Sequence, residues 1–288
     1  MTSAEAKEKI EALSKELNHY NYQYYVNDIS EVSDLEFDRK LEELQKLESD
    51  FPEFKKDDSP TQRVGGDITK SFETVAHKYP MLSLSNTYSK EELEDFIKRL
   101  SKIITDEVEF VCELKYDGAA IGITYKSGKL IRAVTRGDGT KGDDISTNVK
   151  TIRSVPLTLK GDDYPEEFEI RGEIFMLLEG FSKLNQQRIE NGEEPFANPR
   201  NTASGTLKMQ DSTVVASRAL DSFLYSVMSD ERITDSHYDS MMKARKWGFK
   251  VPTQDKRFIA KAKNVDEIFE FINYWEKHRH ELPFEIDG

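Results

Sequence analysis

Lys115 stands in the run Lys115-Tyr116-Asp117-Gly118, two residues after Glu113, so a primary amine lies between two carboxylates at alternate positions. These residue types suit covalent group transfer: an amine is a nucleophile once it has lost its proton, and carboxylates accept hydrogen bonds from hydroxyl and amino groups. A second charged row, Glu169, Arg171 and Glu173, occupies alternate positions of 168–175. Between the two rows, Thr135-Arg136-Gly137-Asp138-Gly139-Thr140-Lys141-Gly142-Asp143 carries three glycines, which lets backbone N–H groups approach a phosphate or sugar. Gly-Asp-Gly is also an ordinary turn, and the loop is neither a Walker P-loop nor a dinucleotide fingerprint opening a helix after a strand. Cys112 is the single cysteine, which excludes an internal disulfide and a multi-cysteine zinc cluster and agrees with a reducing compartment. The five histidines, His19, His77, His237, His278 and His280, show no zinc spacing, no protein-held metal is expected, and no serine-hydrolase elbow is present.

The elements that must position these groups follow from hydrophobic period. Val108, Phe110, Cys112 and Leu114 alternate with Glu109, Val111, Glu113 and Lys115, the period of a strand, so Glu113 and Lys115 share a face and Asp117 joins them if the strand runs that far. A charged sheet face either meets water or lines a polar pocket, and alternation alone leaves both open. Residues 119–125 and 129–135 read as a hairpin around Ser127-Gly128. Upstream, Ile10, Leu13, Leu17, Tyr20 and Tyr24 recur at helical spacing, which predicts a helix over 4–26 with Thr2 and Glu5 as its capping box and with Tyr20 and Tyr24 in its core face. Ser33 with Glu36 caps a second helix carrying Phe37, Leu41, Leu44 and Leu47, and Ser89 with Glu92 caps a third carrying Leu93, Phe96, Ile97 and Leu100. Residues 1–69 are therefore expected to form a small helical domain closed by a linker at Gly65-Gly66. Residues 70–288 are expected to form an α+β body of antiparallel sheets with flanking helices.

The formal charge of −13 argues against the whole surface acting as a nucleic-acid clamp, so any DNA contact must be local. Residues 1–60 hold 16 acidic against 8 basic side chains, an asymmetry that supports a separate N-terminal unit. No window reaches the roughly 18 consecutive apolar residues of a membrane helix, and the first residues lack an export signal, so no membrane association and a cytoplasmic location are expected.

Taken in order, Glu113 with Lys115-Tyr116-Asp117-Gly118, Arg136-Gly137 and Arg171-Gly172-Glu173 resemble the motif series of covalent nucleotidyltransferases. Tyr22-Gln23-Tyr24-Tyr25, Ser33-Asp34-Leu35-Glu36-Phe37-Asp38, Ser59-Pro60-Thr61, Pro80-Met81-Leu82-Ser83-Leu84 and Phe196-Ala197-Asn198-Pro199-Arg200-Asn201 narrow the resemblance to the bacterial NAD-dependent DNA ligases, over essentially the whole chain. The resemblance implies that Lys115 attacks the α-phosphorus of NAD, forming lysyl-AMP and releasing nicotinamide mononucleotide. It makes Glu113 the adenine-reading acceptor, Tyr225 the ring stacked on adenine, and Arg136 and Glu173 ribose contacts. Ser83 and Leu84 fall in the cofactor site, and Arg279 near the AMP phosphate. Asp117 would organise the later DNA steps. Tyr24, Tyr25, Asp34 and Asp38 would hold the nicotinamide half, and Arg200 and Lys208 would face DNA. The implied cofactors are NAD and Mg2+, with Zn2+ only in parts of the family beyond this chain; the implied partner is nicked double-stranded DNA, and a monomer is expected. Free lysine has a pKa of about 10.4, so crowding by other cations and partial burial are expected around Lys115.

Two residues depart from the pattern: Phe37 stands where tyrosine is frequent, and Lys208 stands where arginine is, losing bidentate phosphate geometry. Phe284-Glu285-Ile286-Asp287-Gly288 ends where the family continues with further lysine-bearing motifs and with OB-fold, zinc, helix-hairpin-helix and BRCT parts, so the chain is expected to be a fragment. Two other readings remain at this stage: an ATP-dependent nucleotidyltransferase, and a non-catalytic NAD-binding module.

Overall fold

Two antiparallel helices open the chain, α1 (Ser3–Asn27) and α2 (Asp34–Asp50). Their first turns are capped as the sequence implies: Glu5 N donates to Thr2 Oγ1 while Thr2 N donates to Glu5 Oε2, and Glu36 N donates to Ser33 Oγ. Ile10, Leu13 and Leu17 pack against Leu44 and Leu47, with Phe37, Leu41, Phe51 and Phe54 at the margin. In a computed structural model of the chain, residues 2–27, 29–56, 58–64 and 71–288 are described, apart from the side chains of Asp34 and Val64. The linker at Gly65-Gly66, the division at 69/70 and the Asp34 side chain thus lie outside the described residues.

The expected core face of α1 ends sooner than its spacing suggests. After Leu17 the buried row continues through Asn21, whereas Tyr20 is half-buried and Tyr24 is 53% exposed. The reason is that α1 and α2 part around a cavity of roughly 350 Å3, and both tyrosines line it.

The helical pair is tied to the rest of the chain by a buried polar knot. Glu48 accepts hydrogen bonds from Ser59 Oγ at 2.5 Å and Thr61 Oγ1 at 2.6 Å, so Ser59-Pro60-Thr61 closes the pair structurally. Arg63, in the short helical turn Pro60–Val64, then donates to the carbonyls of Ile152 and Val155 at 2.8 and 2.9 Å. Burial pushes its guanidinium down to about 10.

The body then runs β1 (Thr74–Ala76), α3 (Lys90–Leu100), β2 (Phe110–Glu113), β3 (Ala119–Lys126), β4 (Lys129–Thr135), β5 (Lys141–Asp143), α4 (Ser146–Val149), β6 (Glu167–Met176), α5 (Leu178–Glu190), α6 (Pro199–Leu207), α7 (Ser212–Ser217), β7 (Leu220–Met228), α8 (His237–Lys246), β8 (Ile259–Ala262) and α9 (Val265–His278). The central sheet has the order β4-β3-β6-β7 with every pair antiparallel, and two smaller sheets pair β1 with β5 and β2 with β8. The expected hairpin is present: Ser127 and Gly128 take φ of 48° and 73°, the two positive values of a type I′ turn. Ile121, Ile123, Tyr125, Ile170, Trp247 and Phe249 belong to the main core, and a second core gathers Leu114, Tyr116, Phe175, Phe223, Phe258 and Phe284. The architecture is α+β, a helical N-terminal region followed by antiparallel sheets with flanking helices. Among the described residues no helix is long and apolar enough to cross a membrane.

The strand expected from Val108 is shorter and changes partner. β2 pairs with β8 only through Glu113, after which the extended chain is held by 285–288: Lys115 N donates to Gly288 O at 2.7 Å, Asp287 N to Lys115 O at 2.7 Å, and Asp117 N to Glu285 O at 3.1 Å. The alternation persists across this change. Leu114 and Tyr116 point into the second core, and Lys115 and Asp117 point out.

Candidate active site

Gly118 decides where the Lys115 segment sits. A Cβ there would meet the Ile174 carbonyl oxygen at 2.2 Å, so only glycine lets the chain cross this close to β6 and bring Lys115 and Asp117 beside Glu173. Glu173 projects from β6 and accepts a 3.3 Å hydrogen bond from the hydroxyl of Tyr225 on β7. Burial pushes the Glu173 carboxyl up to about 7, against the pull of the Tyr225 bond and of Arg200 and Lys115 nearby. The Tyr225 hydroxyl is pushed up as well, by burial first and then by Glu173.

The Lys115 ammonium donates to the carboxylate of Asp287. That contact holds the Asp287 carboxyl below its usual range, with Arg200 and Arg279 adding to the effect. Arg200 also reaches Asp117, Nη1 to Oδ1 at 3.2 Å; it stands in the first turn of α6, whose cap Asn198 accepts from Asn201 N at 2.8 Å. Arg279 donates to the Ile286 carbonyl and so braces the segment that pairs with Lys115. Lys115, Asp117, Glu173, Arg200, Tyr225 and Arg279 therefore converge. The expected cations are present, Arg200 and Arg279 both acting on Asp287, but the direct partner of Lys115 is an acid and its side chain is half-exposed.

Arg136 lies one strand away. Its backbone N–H donates to the Ala120 carbonyl, Ala120 pairs with Glu173 across the sheet, and its guanidinium donates to Ser83 Oγ at 2.8 Å. The loop carrying Ser83 and the exposed Leu84 is anchored by Arg171, which donates to the carbonyls of Tyr79 and Pro80 and to Glu169 at 2.7 Å. Arg171 thus positions the loop, its charge nearly buried with that of Glu169.

Four amides of the glycine-rich loop are already bonded within it. Thr140 N and Lys141 N both donate to Asp138 Oδ1, Asp138 N donates to Lys141 O, and Gly139 N donates to Arg136 O. The Thr140 hydroxyl, which donates to Asp138 Oδ1 at 2.7 Å, and then the Thr140 and Lys141 amides hold the Asp138 carboxyl down at about 2. A Cβ at Gly142 would lie 1.8 Å from the Thr135 carbonyl oxygen, so this glycine serves close packing of the loop on itself.

Glu113 ends β2 and faces His237, whose Nε2 is 3.3 Å from each carboxylate oxygen. Lys208 pairs with Asp143 at 2.7 Å, apart from the Lys115 cluster. Tyr24, Tyr25, Phe37 and Asp38 line the cavity between α1 and α2, and Arg153 from the body enters it. The Arg153 guanidinium donates to the Tyr25 hydroxyl at 3.2 Å and lies 5.9 and 5.7 Å from the ring centres of Tyr25 and Phe37. No residue lining this cavity belongs to the Lys115 cluster.

Asp287, His237 and Arg153 were not anticipated as site residues. Asp287 carried a signal, an acid before glycine in a terminal extended run, but its partner strand is 172 residues away in sequence. His237 sits at a helix start marked only by Ser236 as cap, and Arg153 in a turn without periodicity.

Comparison with known proteins matches two family descriptions to this chain. "DNA ligase-like, N-terminal NAD+-binding domain" covers residues 3–65, and "NAD-dependent DNA ligase adenylation domain" covers residues 69–288. The chain is 56% identical over 284 residues to a DNA ligase of Christiangramia forsetii, 56% over 282 residues to one of Flavobacterium psychrophilum, and 55% over 282 residues to one of Bacteroides fragilis. These alignments cover 98–99% of this chain and 42% of each relative, so the chain spans well under half the length of the relatives it matches.

Proposed function

Because this chain belongs to the NAD-dependent DNA ligases, we propose that it binds NAD and takes the adenylyl group onto Lys115, releasing nicotinamide mononucleotide. The Lys115 Nζ lone pair forms the bond to the α-phosphorus, the phosphoanhydride oxygen of the nicotinamide half departs, and the ammonium proton must leave before attack. The observation that carries this reading is the exposed Lys115 amine among Asp117, Glu173, Asp287, Arg200 and Arg279 at a single strand crossing.

The adenosine half fits the residues beside it. Glu173 is a half-buried carboxylate with one long hydrogen bond, and ribose hydroxyls are donors that would satisfy it. Tyr225 offers a ring, Glu113 an acceptor for the base, and Arg136 with Ser83 and Leu84 the adjoining wall. Arg279 would face the phosphate. The nicotinamide half would take Tyr24, Tyr25, Asp34 and Asp38, an aromatic and acidic set suited to a cationic ring and ribose hydroxyls.

The cavity lined by Tyr24, Tyr25 and Asp38 is separate from Lys115, so a closing movement of residues 1–69 against 70–288, which we treat as two domains, would align the leaving group opposite the amine. Among the described residues no group of three or more His, Cys, Asp or Glu side chains gathers to hold a metal. Magnesium fits here as a ligand chiefly of substrate phosphates, with one or two carboxylates such as Asp117 and Asp287, and it supplies positive charge against the phosphates.

In the whole protein the AMP would pass to the 5′-phosphate of nicked double-stranded DNA, with Arg200 and Lys208 on the DNA side, in a cytoplasmic monomer. The test is product analysis. With NAD and magnesium the protein should release nicotinamide mononucleotide, whereas pyrophosphate release from ATP, with NAD inert, would replace NAD as the donor.

A further inference from the structure

The Lys115 chemistry leaves one close contact unused. Glu113, whose side chain is 22% exposed, is met at 3.3 Å from both oxygens by His237 Nε2. We propose that His237 is a positioning residue that sets the purine preference of the site by fixing the orientation of Glu113 as an acceptor. This rests on the reading of Glu113 as the group facing the base.

A carboxylate only accepts, so the ring nitrogen between its two oxygens must carry the proton and donate. In agreement, Glu113 raises His237 above its ordinary range. The imidazole is delivered from a fixed element. His237 is the first residue of α8, capped by Ser236 accepting from Asp239 N at 3.0 Å, and the helix is anchored in the core through Met241 and Ala244. The carboxylate comes from the end of β2, which pairs with β8. Two rigid elements thus present one donor and one acceptor to each other.

A single N–H shared between both oxygens leaves lone pairs free on each, directed away from α8. Adenine presents an amino donor at its six-position; hypoxanthine presents a carbonyl acceptor there, which an ionised carboxylate repels. Polar sites built for one partner reject the other because a buried group is left unpaired. Without the imidazole, Glu113 can turn, and the preference for adenine weakens.

Calorimetric binding of adenosine monophosphate and inosine monophosphate to the whole chain tests this. The wild type should prefer the adenine nucleotide, His237→Ala should lose roughly tenfold of that preference, and His237→Gln, whose amide also donates, should recover most of it. Wild type binding both nucleotides alike would overturn the proposal, as would His237→Ala weakening both equally. Glu113→Gln separates the two ways of failing. If it keeps the preference, Glu113 does not read the base and the proposal falls with that reading. If Glu113→Gln loses the preference while His237→Ala keeps it, the His237 proposal falls alone.

Discussion

Lys115 and Asp287 are bound to each other twice, backbone to backbone and side chain to side chain: Asp287 N donates to Lys115 O at 2.7 Å, and the Lys115 ammonium donates to the Asp287 carboxylate. The backbone bond fixes register, and the side-chain pair is a surface pair, with 47% and 54% of the two side chains exposed. Such pairs are worth about 0–1 kcal/mol, so the amine can exchange its partner for a phosphate at small cost.

Asp287→Asn should therefore shift the thermal midpoint by no more than about 3 °C. Scanning calorimetry checks this. A fall of about 10 °C would mean that the pair holds the fold together and is not a contact the amine readily leaves.

The half-buried Glu173 carboxyl makes stability depend on pH with a definite sign. Its folded value of about 7 lies above the ordinary value of 4.5, so the folded state binds the proton more tightly. Stability must then fall as pH rises from about 4.5, and the loss is complete once pH passes about 7. Glu173→Gln removes the ionisation. Without nucleotide it should be more stable than wild type at pH 8, by on the order of 2 kcal/mol, and nearly equal to it at pH 4. Urea unfolding at both pH values measures this, and an equal difference at pH 4 would show that ionisation is not the cause.

Tyr116 lies between the two outward residues of the Lys115 run and points inward. Its ring stacks on Phe223 at 4.5 Å, and its hydroxyl is buried without a hydrogen-bond partner among the described residues. Tyr116→Phe deletes an unsatisfied polar group and keeps the ring, so stability should rise, by about 1 kcal/mol. A loss of stability in the same unfolding experiment would reveal a partner for the hydroxyl, such as an ordered water.

Local signals were legible wherever the deciding interaction is local. The capping residues Thr2, Ser33 and Ser89, the turn at Ser127-Gly128 and the alternation Leu114-Lys115-Tyr116-Asp117 all appear in the structure as the sequence implies. Tyr24 escaped because helical spacing places it on the core face without saying where the partner helix diverges. The glycine loop escaped because composition cannot tell an amide offered to a ligand from one already bonded to Asp138. Asp287 and His237 reach Lys115 and Glu113 through pairings with distant segments, and no periodicity within either segment encodes them.

The most direct test of Lys115 as the nucleophile is intact-mass analysis of the protein after incubation with NAD and magnesium, followed by peptide mapping. Wild type should gain the mass of one AMP, located on the peptide containing Lys115 and labile to acid as a phosphoramidate is. Lys115→Ala should gain none while still folding. An AMP adduct that persists in Lys115→Ala, or that maps to another residue in wild type, would contradict the assignment.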